Sequence, residues 1–152
     1  GLGTAVSTSV LKNASTVGGI SYEAKVELTT GTSQHAVAFG DLDGDGKLDL
    51  AAVSFLTNTV LVFRNISTSG TLDANSFDEK VEYSTGTSPQ SIAIADLDGD
   101  GKLDLAVGNR SGNSVSIFEN TSTIGTIGFA DKVDYTTGSS PRSVAVRGND
   151  CH

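Results

Sequence analysis

A stretch of seven residues recurs three times along this chain, and a repeat of that kind constrains the fold more than any single residue does. Lys25-Val26-Glu27-Leu28-Thr29-Thr30-Gly31, Lys80-Val81-Glu82-Tyr83-Ser84-Thr85-Gly86 and Lys132-Val133-Asp134-Tyr135-Thr136-Thr137-Gly138 align at spacings of 55 and 52 residues. Ahead of each stands a second matched run: Val10-Leu11-Lys12-Asn13, Val62-Phe63-Arg64-Asn65 and Ile117-Phe118-Glu119-Asn120. Three extra residues in the loop after Asn65, around Leu72 to Ser76, account for the difference between the spacings.

Within a copy, apolar residues alternate with polar or small ones, as in strands whose side chains point to opposite faces. In Ser91-Ile92-Ala93-Ile94-Ala95 the isoleucines face one side and the alanines the other, which suits a strand held between closely packed sheets. Four strands per copy follow: about Gln90 to Ala95, Asp104 to Asn109, Ser114 to Asn120 and Phe129 to Thr136, each bounded by turn residues. A period near 50 with four strands matches a β-propeller blade and is too long for a β-helix coil or a leucine-rich repeat. Eighteen Gly with no Trp and no Met fit many short strands and turns.

The expected fold is therefore all-β: a partial propeller of about eleven antiparallel strands in a single repeat domain over residues 1–152. Residues 1–31 end one blade, with strands at Val6 to Asn13 and Ser21 to Thr29. Residues 32–86 and 87–138 form two complete blades, running from His35 to Ser84 and from Gln90 to Thr136. Residues 139–152 open a further blade, its first strand at Arg142 to Arg147. Because a propeller closes only with four or more blades, open sheet edges should remain. The chain is expected to be a piece of a longer propeller, or a protomer that completes a ring by self-association.

Two loops carry the chemistry. Asp41-Leu42-Asp43-Gly44-Asp45-Gly46-Lys47-Leu48-Asp49 returns as Asp96-Leu97-Asp98-Gly99-Asp100-Gly101-Lys102-Leu103-Asp104, identical over nine residues. Carboxylates at loop positions 1, 3, 5 and 9 converge only if the backbone curls tightly, which Gly at positions 4 and 6 permits. Hard oxygen donors in this number suit Ca²⁺ over zinc or copper, with Mg²⁺ as the weaker contender. Lys47 and Lys102, at position 7, offer backbone carbonyls as additional ligands. The pattern starts like an EF-hand, yet Ala52 or Val107 stands where its bidentate Glu belongs, and no amphipathic helix flanks either loop. The plain alternative is a polar hairpin turn rich in Asp and Gly. Four carboxylates in nine residues repel one another without a cation, and the constellation occurs twice in register.

These loops and their flanking strands resemble FG-GAP repeats, also known as VCBS or integrin α-like repeats, over roughly Val6 to Val146. The resemblance implies that each loop joins the first two strands of a blade and holds Ca²⁺. It implies one site at Asp41, Asp43, Asp45 and Asp49 and another at Asp96, Asp98, Asp100 and Asp104. It further implies a seven-bladed propeller of the kind found in integrin α chains, bacterial surface proteins, lectins and accessory modules of secreted enzymes. Two features depart from the family pattern. Ser54-Phe55-Leu56 and Gly108-Asn109-Arg110 replace the Gly-Ala-Pro that often follows the second strand, and Gly148 stands where a third loop would begin, so no third site is expected.

Eight of the 18 acidic residues lie in the two loops, so the net charge of −8 is local, and two Ca²⁺ would halve it. No basic cluster with interleaved aromatics points to nucleic acid, and no apolar run approaches a membrane span. Cys151 has no partner cysteine, and His35 and His152 stand at no ligand or triad spacing. No nucleophile elbow, phosphate loop or zinc motif occurs, so an enzyme is not expected. Asn13, Asn65 and Asn120 open glycosylation sequons at one repeat position, but turn initiation by Asn explains the recurrence more simply. Tyr83 and Tyr135, at equivalent strand positions, read as packing residues, and Tyr22 is a further aromatic available to a sugar. The expected role is an extracellular, calcium-clamped module for adhesion or ligand recognition. Its protein or glycan partner is not named by the sequence, and a lectin or an accessory module of a secreted enzyme is the alternative.

Overall fold

The computed structural model describes residues 6–31, 33–68 and 71–147. Among them run ten strands: β1 (Val6–Asn13), β2 (Tyr22–Gly31), β3 (Gln34–Gly40), β4 (Asp49–Ser54), β5 (Thr59–Phe63), β6 (Val81–Ser84), β7 (Pro89–Ala95), β8 (Asp104–Asn109), β9 (Ser114–Phe118) and β10 (Val133–Thr136). They form an antiparallel hairpin, β1-β2, and two four-stranded antiparallel meanders, β3-β4-β5-β6 and β7-β8-β9-β10. These are the closing hairpin and the two complete blades read from the repeat.

Burial explains the order. β4 and β8 are buried at every residue, whereas the outermost strands β6 and β10 are mostly exposed. A strand covered on both faces should be apolar throughout, and Leu50-Ala51-Ala52-Val53 divides its side chains between two cores. Leu50 and Ala52 join Leu61 and Phe63 against Val26 and Leu28 of β2. Ala51 and Val53 join Val60 and Val62 against Leu105, Val107 and Phe118 of the following blade, with Ile92 and Ile94 packed on the rim. The sheets thus stack face to face, each interface filled by alternate residues of one strand. Full burial of a Leu or Val stabilises by about 1.5–3 kcal/mol, so these interfaces dominate the packing energy.

Consecutive blades are also fastened by polar contacts. Asn58 and Asn113, in the turns after β4 and β8, adopt left-handed φ of 56° and 49°, which Asn tolerates better than most residues. The Asn58 Oδ1 accepts the Ser88 N–H at 2.7 Å, and the Asn113 Oδ1 accepts the Ser140 N–H at 2.8 Å, so each turn holds the segment leading into the next blade. Backbone bonds beside them repeat the pattern: Thr85 N–H to Asn58 O at 2.9 Å and Thr137 N–H to Asn113 O at 2.8 Å.

Two differences from the sequence reading concern outer and terminal strands. The fourth strand of the second blade, expected from Phe129, keeps its ladder only over β10. Upstream of β10, Phe129 makes an isolated bridge to Asn120, and the Ala130 N–H donates to Glu119 O at 2.9 Å. The segment Arg142 to Arg147 forms no ladder among the described residues, although Val144 lies against Gly108 of β8, where the inner strand of a following blade would pack. A strand needs a hydrogen-bonding neighbour, and residues 148–152 lie outside the described residues.

Candidate metal centres

Each nine-residue loop connects the first and second strands of its blade, β3 to β4 and β7 to β8. The four loop glycines take the left-handed φ that the curl requires: Gly44 76°, Gly46 88°, Gly99 86° and Gly101 89°. Loop N–H groups then point back at the carboxylates. The Asp41 oxygens accept from Asp45 N–H at 3.0 Å and Gly46 N–H at 2.9 Å; those of Asp96 accept from Gly99 at 2.7 Å and Gly101 at 2.9 Å. Asp43 and Asp98 each accept the N–H two residues on, at 3.1 and 3.0 Å.

Position 9 does structural work that sequence reasoning did not anticipate. Asp49 Oδ2 accepts the Leu42 N–H and Oδ1 the Asn65 N–H, both at 2.8 Å. Asp104 repeats this with Leu97 and Asn120, again at 2.8 Å. Each carboxylate therefore ties the start of its loop to the second residue beyond the third strand. Burial raises the Asp49 carboxyl; the two N–H groups oppose that rise, and the charges of Asp43 and Asp45 add to it.

The structure brings Asp41, Asp43 and Asp49 together, and likewise Asp96, Asp98 and Asp104, with one oxygen from each residue lying within 4.8 Å of the others. Oxygens sharing a calcium at 2.3–2.6 Å stand no more than about 5 Å apart, so both groups have the dimensions of a cation cage. All donors are hard oxygens with no His or Cys among them, and an N–H on a carboxylate oxygen leaves a second lone pair free. Asp45 and Asp100 fall outside these groups: Asp45 Oδ1 accepts the Lys47 N–H at 2.9 Å and Asp100 Oδ1 the Lys102 N–H at 2.8 Å. Burial acts to raise the Asp45 carboxyl, but the Lys47 N–H and ammonium, together with the Arg64 guanidinium, hold it below the usual carboxylate range.

Arg64 is the charged residue that the loop pattern does not contain. Its Nε lies 2.5 Å from Asp43 Oδ2 and its Nη2 3.3 Å from Asp45 Oδ2, and the Asp43 contact raises the guanidinium pKa further. The Gly125 N–H of the next blade reaches the same Asp43 oxygen at 3.0 Å. The signal was visible in the repeat alignment, where Arg64 faces Glu119 at an otherwise matched position.

Asn13, Asn65 and Asn120 each accept with Oδ1 the N–H two residues on, at 2.9, 3.0 and 2.8 Å, which is the turn role expected of them. Asn120 goes further. Only 2% exposed, it donates Nδ2 to Leu103 O at 2.7 Å and to Leu42 O of the preceding blade at 2.9 Å, so its amide is committed inside the fold. His35 stacks on Phe55 with centroids 4.7 Å apart. Tyr83 packs edge-on to Phe129 and Phe118, as expected. Tyr135 differs from the expectation: it is 57% exposed, because among the described residues no further sheet follows β10 as β7 to β9 follow Tyr83. Gly148, Cys151 and His152 lie outside the described residues.

Face-to-face meanders with aspartate loops between their first two strands define a propeller-like β-repeat module. A model of the FG-GAP-like repeat matches residues 41–107 and 96–147, more than half the chain. The chain belongs to the FG-GAP-like repeat family. Comparison with curated proteins and with solved structures returned no match.

Proposed function

We propose that this chain is a calcium-clamped propeller segment serving adhesion or ligand recognition outside the cell, and not an enzyme. The observation that carries the calcium reading is the pair of three-carboxylate groups, each within 4.8 Å, on loops of identical sequence. Asp41, Asp43 and Asp49, and Asp96, Asp98 and Asp104, are the side chains that would hold the ions, with Asp45, Asp100 and the carbonyls of Lys47 and Lys102 completing the donor set. Bound Ca²⁺ supplies positive charge that relieves the repulsion among these carboxylates. Each loop joins a blade's first strand to its fully buried second strand, so ordering it braces that hairpin. Extracellular placement fits this use, because free calcium there is high enough to fill sites of moderate affinity. The exposed apolar residues Val37 and Phe39 on β3 support association with further blades, from a second copy or from a longer chain.

Thermal unfolding with calcium chloride and with EDTA tests the metal reading. A cation that binds only the folded chain adds about 2.7 kcal/mol per site at a hundredfold excess over Kd, roughly 5–10 °C in Tm for a chain of this size. An unchanged Tm and an unchanged solution mass in EDTA would refute the clamp. Glycan-array binding against binding to protein surfaces then separates the two ligand classes.

A further inference from the structure

We infer that Arg64 is a resident counter-ion that weakens the first loop toward a divalent cation, so that the two identical loops fill at different concentrations, the second first. The inference rests on the calcium reading above and assigns the regulation of those sites to residues outside the repeated motif.

The two loops share every residue, so any difference between them comes from their surroundings. In the first, the Asp43 side chain is 0% exposed and its Oδ2 already receives the Arg64 Nε at 2.5 Å and the Gly125 N–H at 3.0 Å. Arg64 Nη2 also reaches Asp45 Oδ2 at 3.3 Å, where Lys47 Nζ stands at 3.2 Å. In the second loop, Asp98 is exposed, and these ion pairs have no counterpart among the described residues.

Glu119 occupies the repeat position of Arg64 and lines a cleft with Asp98, Asp104 and Asp131. The corresponding cleft of the first blade is lined by Arg64, Asp78 and Glu79. Glu79 and Asp131 hold matching positions and Asp78 faces Ala130, so the clefts differ in charge at residue 78 and, beside the loop carboxylates, at the position of Arg64 and Glu119. Counting each loop with its lysine and this residue, the first carries −2 and the second −4. A unit charge about 6 Å from a divalent ion changes its affinity about tenfold even in bulk dielectric, so exchanging Arg for Glu amounts to about a hundredfold at low salt. A cation entering the first loop must also share a buried carboxylate with a guanidinium already paired to it. The second loop asks for no such sharing among the described residues.

Titration calorimetry with calcium chloride alone, on the full chain at low ionic strength, tests this. Wild type should show two classes of site about a hundredfold apart, with D98N abolishing the tighter class and D43N the weaker. R64Q should tighten the weaker class about tenfold, R64K should leave it weak because the charge remains, and E119R should weaken the tighter class about a hundredfold. E119R sits on the other blade and keeps the test decisive if the Arg64 variants fold poorly. Two calcium ions bound in one class that R64Q and E119R leave unchanged overturn this inference while the calcium reading stands. Absence of binding at either loop overturns both.

Discussion

Asn120→Ala isolates how strongly one blade is fastened to the next. The side chain makes three hydrogen bonds, to Leu42 O at 2.9 Å and from the Ser122 N–H at 2.8 Å in buried surroundings and to Leu103 O at 2.7 Å in half-buried ones. Each net bond contributes about 1 kcal/mol, and truncation also leaves buried partners without their side-chain contact, so N120A should cost about 3–5 kcal/mol. Among the described residues, the matched Asn65 side chain donates to Leu48 O at 3.0 Å and accepts from the Ser67 N–H at 3.0 Å and makes no bond to another blade, at a site that water reaches. N65A should therefore cost about 1 kcal/mol. Urea denaturation of both variants and wild type in EDTA, where no metal contributes, reads the difference as a shift in midpoint at constant m-value. In Tm the N120A shift amounts to roughly 6–20 °C. Equal midpoints for N65A and N120A would show that the contact across the blades carries no more energy than a surface turn, and the reasoning would fail.

Gly86 and Gly138 occupy the same repeat position, yet a Cβ at Gly86 would lie 2.5 Å from Asn109 Nδ2, and one at Gly138 would meet nothing within 4 Å. Asn109 is fully buried and cannot yield, so G86A should destabilise by about 1–3 kcal/mol while G138A stays neutral or gains a few tenths, as thermal melts will show. The Lys25 ammonium and the Ser7 and Ser9 hydroxyls hydrogen-bond Glu27 and lower its pKa from 4.5 to about 2. A depressed folded pKa contributes stability above the unfolded value that fades as pH falls through the folded one. The stability difference between wild type and E27Q should therefore shrink between pH 4.5 and about 2, and a carboxyl titration by NMR with a midpoint near 4.5 would contradict the assignment.

Elements that depend on local pattern were legible from the chain. Alternation located β7, the repeat placed β4 and β8, and the Asp and Gly spacing located both loops and the left-handed backbone at Gly44, Gly46, Gly99 and Gly101. What escaped reading depends on the neighbouring blade. Asn65 and Asn120 look alike in sequence, but only Asn120 has its amide seated against Leu42 in the loop of the preceding blade. Tyr83 and Tyr135 look alike too, but only Tyr83 has Phe129 to pack on. The dual use of Asp49, as loop carboxylate and as acceptor for Leu42 and Asn65, follows from burial that no short window encodes.

The grip of Asn58 on Ser88 and of Asn113 on Ser140 spans 30 residues in one blade and 27 in the next, with nearly the same bond length. The three-residue surplus falls within the outer loop after Asn65, inside the span that the grip closes. Outer loops can therefore lengthen or shorten without loosening the hold of one sheet on the segment that follows it. Surface variation and the fastening of one blade to the next are thereby uncoupled, leaving the periphery open to sequence change.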